Sequence, residues 1–186
     1  MNLFICGVGG QGIGLLTEAL GRACLKAGHE VRGCDTHGLA QRGGVVASHL
    51  RLGEKIYTPR VPPGQADGVI ALERLEALRG ARRYLRPGGW LLFYDSVYQP
   101  VSVRTASAKY PGQEELEAID ARLERVWIDD LSDARMQNVA LLGRLAGLAL
   151  IPGIDVDCMR DVLKDVTPAK ALEANLAVFE KATKLS

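Results

Sequence analysis

Three glycines near the N-terminus have the spacing of a phosphate-binding turn. Gly7, Gly9 and Gly12 follow a short apolar run and precede a segment with helical periodicity. Glycines in this position allow a tight turn, and the N–H groups at the start of the helix can bind an anion. Asp35, near the end of the next predicted strand, resembles the acid that binds a ribose hydroxyl in NAD-binding domains. The same glycines also serve close helix–sheet packing with nothing bound, so both interpretations stay open at this point.

A second glycine-rich stretch follows at residues 36–44 and is not needed in a dinucleotide-binding domain. Arg42, flanked by Gln41 and by Gly43 and Gly44, has the chemistry to bind a phosphate or carboxylate with two hydrogen bonds. The alternative is that this arginine ties the loop to a neighbouring carboxylate or to another subunit. The glycines of this stretch permit a second backbone or a ligand to approach closely.

The titratable residues near this stretch do not form a recognisable catalytic or metal site. His37 can titrate near neutral pH, but no nucleophile or carboxylate partner is identifiable beside it. Cys34 and His37 lack the second ligand pair that a zinc site needs. The other cysteines, Cys6, Cys24 and Cys158, form no CxxC pair, so we expect neither a disulfide framework nor an iron–sulfur cluster held by this chain alone.

Alternating strand and helix signals must position these residues. Residues 2–6 and 30–35 read as strands joined by a helix, which makes one βαβ unit. Residues 45–52 read as a strand that turns at Gly53 and Glu54 into a second strand at 55–58. Further strands are predicted at 68–72, 90–94 and 124–128, and helices at 73–84, 114–123, 132–148 (capped by Ser132), after Asp155 or Asp157, and from Thr167 and Pro168 to 182. The pattern predicts an α/β fold: a Rossmann-like, doubly wound, mainly parallel sheet with an inserted hairpin and appended C-terminal helices.

Composition narrows the class of protein. The chain has 186 residues, 47% of them hydrophobic and 24% charged, with a net charge of +1, and we interpret residues 1–186 as a single domain. A near-neutral charge gives no reason to expect a nucleic-acid partner. The longest apolar stretch, residues 139–151, is too short for a membrane span, and the N-terminus is not that of a signal peptide, so we expect a cytoplasmic protein without a membrane contact.

Two asparagines and two glycines in the C-terminal third predict close packing. Asn138 and Asn175 lie on apolar helical stripes, where a buried amide must find partners, so each is expected to hold a loop backbone or a subunit contact. Gly143 and Gly147 let another helix approach closely, either inside the fold or across a dimer interface formed by the C-terminal helices.

The two glycine motifs, taken in order, resemble those of the pyruvate/ketoisovalerate oxidoreductase gamma family, with its indolepyruvate ferredoxin oxidoreductase beta-type members the closest in form. The motifs are Gly7-Val8-Gly9-Gly10-Gln11-Gly12 and His37-Gly38-Leu39-Ala40-Gln41-Arg42-Gly43-Gly44, followed by Val46, Ser48 and Arg51. The resemblance continues through Asn138, Leu142-Gly143 and Lys170 to Asn175, so it covers nearly the whole chain. One departure is Thr36, which precedes His37 where an acidic residue would be unsurprising.

The resemblance implies an accessory subunit of a 2-oxoacid:ferredoxin oxidoreductase, which converts 2-oxoacids to acyl-coenzyme A. In that family a larger partner subunit carries thiamine diphosphate, iron–sulfur clusters pass electrons to ferredoxin, and the gamma-type chain holds neither. Its glycine loops are then expected to contact coenzyme A phosphates or the partner. The residues so assigned are Gly7, Gly9, Gly10, Gln11, Gly12, Gln41, Arg42, Gly43 and Gly44; no catalytic residue and no metal ligand is assigned.

Two other functions remain open on the sequence. One is a free-standing NAD- or FAD-dependent oxidoreductase that uses Gly7, Gly9, Gly12 and Asp35. The other is a nucleotide- or coenzyme A-binding regulatory module that dimerises through its C-terminal helices.

Overall fold

A computed structural model describes residues 1–37, 45–98, 110–129 and 131–185. Six strands form one sheet in the order β2-β3-β1-β4-β5-β6. They are β1 (Asn2–Val8), β2 (Val31–His37), β3 (Val45–Leu52), β4 (Ala66–Ala71), β5 (Leu85–Tyr94) and β6 (Ala121–Val126). Strands β1, β4, β5 and β6 run parallel, whereas β3 is antiparallel to both of its neighbours, β1 and β2. The predicted fold class, a mainly parallel α/β sheet with an inserted hairpin, is confirmed.

The inserted hairpin differs from the predicted one. The second strand predicted at residues 55–58 is wrong, because β3 pairs with β2 along one side and with β1 along the other. Both edges of β3 are therefore used, and no edge remains for a strand at 55–58. Lys55 has φ +57, a left-handed conformation outside the β region. Strand β3 thus forms its hairpin with β2, the strand that precedes it in the chain.

Helices cover both faces of the sheet. They are α1 (Ile13–Lys26), α2 (Arg74–Tyr84), α3 (Glu114–Glu117), α4 (Gln137–Gly147), α5 (Val156–Val166) and α6 (Ala169–Thr183). One face packs against α1 and α4, with α5 and α6 joined to the same core, through residues such as Leu3, Leu16 and Leu142. The other face packs against α2, with Leu116 of α3 in the same cluster. No helix in the described part of the chain is long and apolar enough to cross a membrane.

Several predicted helix boundaries in the C-terminal half are corrected. The helix predicted at 114–123 ends at Glu117, because residues 121–126 pair with β5 as a strand. The helix predicted from Ser132 starts with a 3₁₀ turn that Asp133 caps, and α4 itself begins at Gln137. The Asp155 carboxylate caps α5 by accepting the N–H of Cys158 at 2.8 Å, as predicted. Thr167 does not cap the last helix: its hydroxyl is buried with no partner among the described residues.

The small residues of α4 serve packing within the chain. A Cβ on Gly143 would lie 2.5 Å from the Phe179 carbonyl oxygen, and one on Gly147 would lie 2.6 Å from the Thr183 carbonyl oxygen. Both carbonyls belong to α6, so the glycines let α4 and α6 approach closely. Of the two predicted uses of these glycines, packing inside the fold is the observed one.

Candidate functional site

The first glycine motif forms the turn between β1 and α1, which we call the glycine turn (residues 9–12). Gly10 and Gly12 have φ of +99 and +81, in the left-handed region that favours glycine. The first intrahelical bond of α1 runs from the Leu16 N–H to the Gly12 carbonyl at 3.2 Å. The N–H groups of residues 13–15 precede that bond, so they have no partner within the helix. Gly10 is exposed, which leaves this end of α1 accessible.

Gln11 shapes the turn from beneath. Its side chain is only 4% exposed; Oε1 accepts the Val8 N–H at 2.7 Å, and Nε2 donates to the Leu72 carbonyl at 2.7 Å. Its backbone N–H donates to the Val8 carbonyl at 3.2 Å. The Gln11 backbone N–H is therefore already bonded within the turn. The side chain joins the glycine turn to the end of β4.

Two of the motif glycines are required by the protein's own packing. A Cβ on Gly7 would lie 2.9 Å from the Gln11 Oε1 and 3.0 Å from the Leu72 Cβ. A Cβ on Gly12 would lie 2.5 Å from the Asn138 Nδ2. By contrast, no atom lies within 4 Å of a Cβ placed on Gly10. Open space at the glycine turn is therefore found around Gly10.

Asn138 connects α4 to the glycine turn. Its side chain is 2% exposed, and Nδ2 donates to the Gly12 carbonyl at 3.2 Å. This confirms the prediction that a buried amide at this position holds a loop backbone. The Asn138 Oδ1 is buried and has no hydrogen-bond partner among the described residues. Asn175 is also buried, on α6.

The second glycine motif lies between β2 and β3. Its assigned residues Gln41, Arg42, Gly43 and Gly44 lie outside the described residues, as does the side chain of His37. The strands that flank the stretch are described, and Val45 is the register partner of Val8, the residue before the glycine turn. His37 is the register partner of Val46. Both ends of the stretch therefore meet the edge of the sheet at which β1 ends.

Asp35 is not placed as the acid of an NAD-binding domain would be. Its carboxylate accepts the Ser48 hydroxyl at 2.5 Å, and β3 separates its strand from β1. Adjacent strands lie about 4.8 Å apart, so an inserted strand moves β2 roughly 10 Å from β1. This geometry disfavours the NAD-dependent alternative, in which Asp35 acts together with the glycine turn.

The edge of the sheet where the parallel strands end, here called the carboxyl edge, carries exposed apolar side chains. Val97 and Tyr98 follow β5, Trp127 follows β6, and Val45 opens the antiparallel β3 beside Val8; all four are exposed. Single exposed apolar residues are common, but these share one edge with the glycine turn. The sequence does not reveal their exposure, because an apolar residue at a strand end looks the same whether it is buried or exposed.

The described residues do not fit a metal ion or an iron–sulfur cluster. No group of three or more histidine, cysteine or acidic side chains converges anywhere in the described ranges. Cys6 and Cys24 are buried, and burial raises the pKa of the Cys24 thiol to about 12 and that of Cys6 well above its usual range. A thiol with a raised pKa is a poor ligand and nucleophile, because the thiolate is the reactive form.

Known proteins match this chain in sequence and structure over nearly its whole length. Residues 2–185 match the family described as pyruvate ferredoxin/flavodoxin oxidoreductase. The chain is 34% identical to the indolepyruvate oxidoreductase subunit IorB of Pyrococcus horikoshii, over 98% of this chain and 94% of that one.

Two solved structures share the fold. The keto/oxoacid ferredoxin oxidoreductase gamma subunit of Geobacter sulfurreducens superimposes with a TM-score of 0.67 at 19% identity, over 98% of this chain and 96% of that one. The 2-oxoglutarate:ferredoxin oxidoreductase of Magnetococcus marinus superimposes with a TM-score of 0.70 at 22% identity, over 98% of this chain and 30% of the larger one. The full-length match and the shared fold confirm the resemblance seen in the two glycine motifs: the chain belongs to the pyruvate ferredoxin/flavodoxin oxidoreductase family.

Proposed function

We propose that the chain is the accessory, gamma-type subunit of a thiamine-dependent 2-oxoacid:ferredoxin oxidoreductase of the indolepyruvate (arylpyruvate) type. The complex would decarboxylate a 2-oxoacid oxidatively, transfer the acyl group to coenzyme A and pass the electrons to ferredoxin. The observation that carries this proposal is the similarity to an indolepyruvate oxidoreductase subunit along 98% of the chain. Thiamine diphosphate and the iron–sulfur clusters would belong to the larger partner subunit. A cytoplasmic location stays a prediction from the sequence.

The acidic groups next to the carboxyl edge support a non-catalytic role. Asp95 is bound by two arginines, Arg74 and Arg125, each at 2.6 Å. Glu73 accepts the N–H of Glu76 at 2.9 Å as the cap of α2, and also the N–H of Tyr98 at 3.3 Å. Burial raises the pKa of Glu73, but its oxygens are engaged with backbone donors. These carboxylates hold the ends of strands and helices, so the proposal assigns none of them to the chemistry.

The glycine turn would supply the contact to the rest of the complex. Gly9, Gly10 and Gly12, together with the first N–H groups of α1, offer backbone donors and the positive end of a helix dipole. In this proposal they bind the phosphates of coenzyme A or a loop of the catalytic subunit. Gln41, Arg42, Gly43 and Gly44 would act beside them, since β2 and β3 bring both ends of their segment to the same edge.

Reconstitution tests the assignment. The chain is produced alone and together with its thiamine-binding partner, and oxoacid-dependent reduction of ferredoxin is measured with coenzyme A present. We expect no activity from the chain alone and activity from the complex, with aromatic 2-oxoacids preferred. Activity without a partner would overturn the accessory role. A chain that binds NAD(H) or coenzyme A alone and never co-purifies with a thiamine-dependent protein would support the NAD-dependent or the regulatory alternative instead.

Substitution of Gly14 tests the role of the glycine turn. Gly14 is exposed in the first turn of α1, and no atom lies within 4 Å of a Cβ placed there. Gly14→Asp introduces a negative charge that a helix N-terminus favours by about 0.3–1 kcal/mol, so the fold should be stabilised. The same charge would repel a phosphate at the turn. We expect the KM of the complex for coenzyme A to rise at least about tenfold in Gly14→Asp but not in the neutral control Gly14→Ala.

The two possible occupants of the turn give different results. If a loop of the catalytic subunit binds there, Gly14→Asp weakens assembly in size-exclusion chromatography and leaves the KM for coenzyme A of the assembled enzyme unchanged. If neither assembly nor the KM changes, the glycine turn is not a contact site.

A further inference from the structure

A concave site lies on the face of the sheet that α2 covers. The cavity has a volume of about 370 Å³ and lies between α2 and the neighbouring strand β3. Its lining is partly apolar, from Phe4, Ala47 and Tyr84, and partly cationic, from Arg60, Arg79 and Arg83. This volume is in the range of small-molecule sites. None of the residues assigned to the glycine turn lines it.

The inserted hairpin creates this cavity. Helix α2 packs on β1, β4 and β5, whereas β3 and β2 extend the sheet beyond that helix. Side chains of β3 such as Ala47 and His49 therefore point to a face that α2 covers only in part. The gap beside α2 is bounded by the loop that follows β3, which carries Arg60.

Three rings form one wall of the cavity. Phe4 and Tyr84 are stacked, with ring centroids 4.0 Å apart and planes inclined by 23°. His49 meets both rings edge-on, at 5.1 Å and 5.4 Å. His49 is 1% exposed, and its Nδ1 accepts the Val61 N–H at 3.2 Å, so the neutral ring carries its proton on Nε2. The His49 ring therefore contributes an aromatic edge to the wall, in contact with Phe4 and Tyr84.

Three arginines surround the opening, and of these only Arg79 pairs with a carboxylate of the described residues. Arg79 donates to the Glu76 carboxylate at 2.8 Å. The Arg83 guanidinium lies 5.4 Å from the centre of the Tyr84 ring, and within the described ranges neither Arg83 nor Arg60 is paired with a carboxylate. Exposed arginines that converge on one cavity attract an anion with more than one negative charge.

We propose that this cavity binds a nucleoside phosphate. The base lies against the wall of Phe4, Tyr84 and His49, which offers aromatic contact. The phosphate is bound by Arg60 and Arg83, whose planar guanidinium groups match phosphate oxygens bidentately. A lone carboxylate would neutralise only one of these two cations. The proposal does not depend on the function proposed above, since it uses neither the glycine turn nor a partner subunit.

Calorimetric titration of the full chain with AMP tests the proposal, with adenosine and inorganic phosphate as partial ligands. We expect AMP to bind with a dissociation constant below about 1 mM, and each partial ligand to bind at least about tenfold more weakly. Arg60→Gln and Arg83→Gln should each weaken AMP binding by at least about tenfold. Arg22→Gln is the matched control, because Arg22 is an exposed arginine on α1 that pairs with Glu18.

Three results would overturn the proposal. One is the absence of AMP binding to the correctly folded chain. Another is AMP binding that survives both arginine substitutions but is lost in Gly14→Asp, which would place the nucleotide at the glycine turn. The third is tight binding of an aromatic carboxylate such as indoleacetate in place of AMP, which would assign the cavity to aromatic acids. Because both arginines are exposed, the variants should fold, and their circular dichroism spectra verify this.

Discussion

At the scale of single residues, buried amides determine the shape of the glycine turn. The Gln11 side chain replaces two hydrogen bonds that water would otherwise make, one to the Val8 N–H and one to the Leu72 carbonyl. Asn138 does the same for the Gly12 carbonyl. Leaving such buried groups without a partner costs about 1–3 kcal/mol each, so the turn is held in one conformation. A preorganised turn loses less entropy when it binds its partner or ligand.

His49 links the stability of the fold to pH. Burial, together with the charge of Arg60, holds the pKa of His49 below its ordinary value. Below about pH 6.5 the unfolded chain therefore binds more protons at this residue than the folded chain does, so the free energy of unfolding falls as the pH falls. We expect a change from about pH 7.5 to about pH 5.5 to destabilise the wild type more than His49→Gln in urea unfolding.

Two buried acids change the free energy of unfolding in the opposite direction as the pH falls. The measurement therefore compares two proteins that both contain them. Burial raises the pKa of Glu73 and of Glu76, so their protonation stabilises the fold as the pH falls. These two terms are common to both proteins and cancel in the comparison. An equal dependence in wild type and His49→Gln would show that His49 is not protonated on unfolding.

At the scale of secondary-structure elements, α4 and α6 approach each other closely where α4 carries Gly143 and Gly147. Helix α4 is buried along nearly its whole length and lies between α1, α6 and β5. Its Arg144 reaches β6, where it pairs with Glu124 at 2.9 Å, and also bonds to the Leu185 carbonyl. Helix α4 thereby carries the Asn138 contact to the glycine turn and ties the C-terminal helices to the sheet.

A pair of glycine substitutions tests that approach. In Gly143→Ala the added methyl would lie 2.5 Å from the Phe179 carbonyl oxygen, so the helices must separate, and we expect a loss of about 1–3 kcal/mol in the free energy of unfolding. Gly21→Ala in α1 is the control, because no atom lies within 4 Å of its new methyl. It should stabilise the protein by about 0.5–1 kcal/mol through helix propensity. If urea unfolding shows both variants equally stabilised, the close α4–α6 contact is wrong.

At the scale of the whole molecule, the two ends of the sheet differ. The carboxyl edge carries the glycine turn, both ends of the second glycine motif, and the exposed Val97, Tyr98 and Trp127. The other end carries the loop after β3, where Arg51 donates to the Thr58 carbonyl at 3.0 Å and Tyr57 is 92% exposed. The proposed subunit contact belongs to the carboxyl edge, since backbone donors and aromatic anchors occur there together.

Substitution of one aromatic residue at each end tests this asymmetry. Trp127 is 49% exposed, and its ring N–H donates to the Asp129 carboxylate at 2.7 Å. We expect Trp127→Gln to weaken binding of the catalytic subunit at least about tenfold, because partly exposed aromatic residues often dominate interface energy. Half of the Trp127 ring is buried and its centre lies 5.8 Å from that of the Tyr94 ring, so circular dichroism verifies that the variant is folded before binding is measured.

Tyr57→Gln is the matched control at the opposite end and should leave the affinity for the catalytic subunit unchanged. The affinity is measured by titrating each variant into the purified catalytic subunit. If Tyr57→Gln loses affinity and Trp127→Gln does not, the subunit contact lies at the end of the sheet opposite to the one that we propose.

The sequence by itself determined the features that depend on local spacing. Glycines at positions 7, 9 and 12 and the helical periodicity after them predicted the strand–turn–helix unit, and the two motifs in order predicted the family. The Asp155 cap and the burial of Asn138 also follow from residues within a few positions. Such features are local, because turn geometry, helix period and capping are decided by neighbours along the chain.

Only the tertiary structure decided which strands are neighbours and what the motif residues contact. The position of β3 between β1 and β2, the separation of Asp35 from the glycine turn, and the strand rather than helix at 121–126 all depend on pairing between distant segments. The packing of Gly12 against Asn138, and the cavity beside α2, arise in the same way. The physical reason is that strand pairing and side-chain burial are set by partners far away in sequence, whereas the periodicity of a segment records only that one of its sides will be buried.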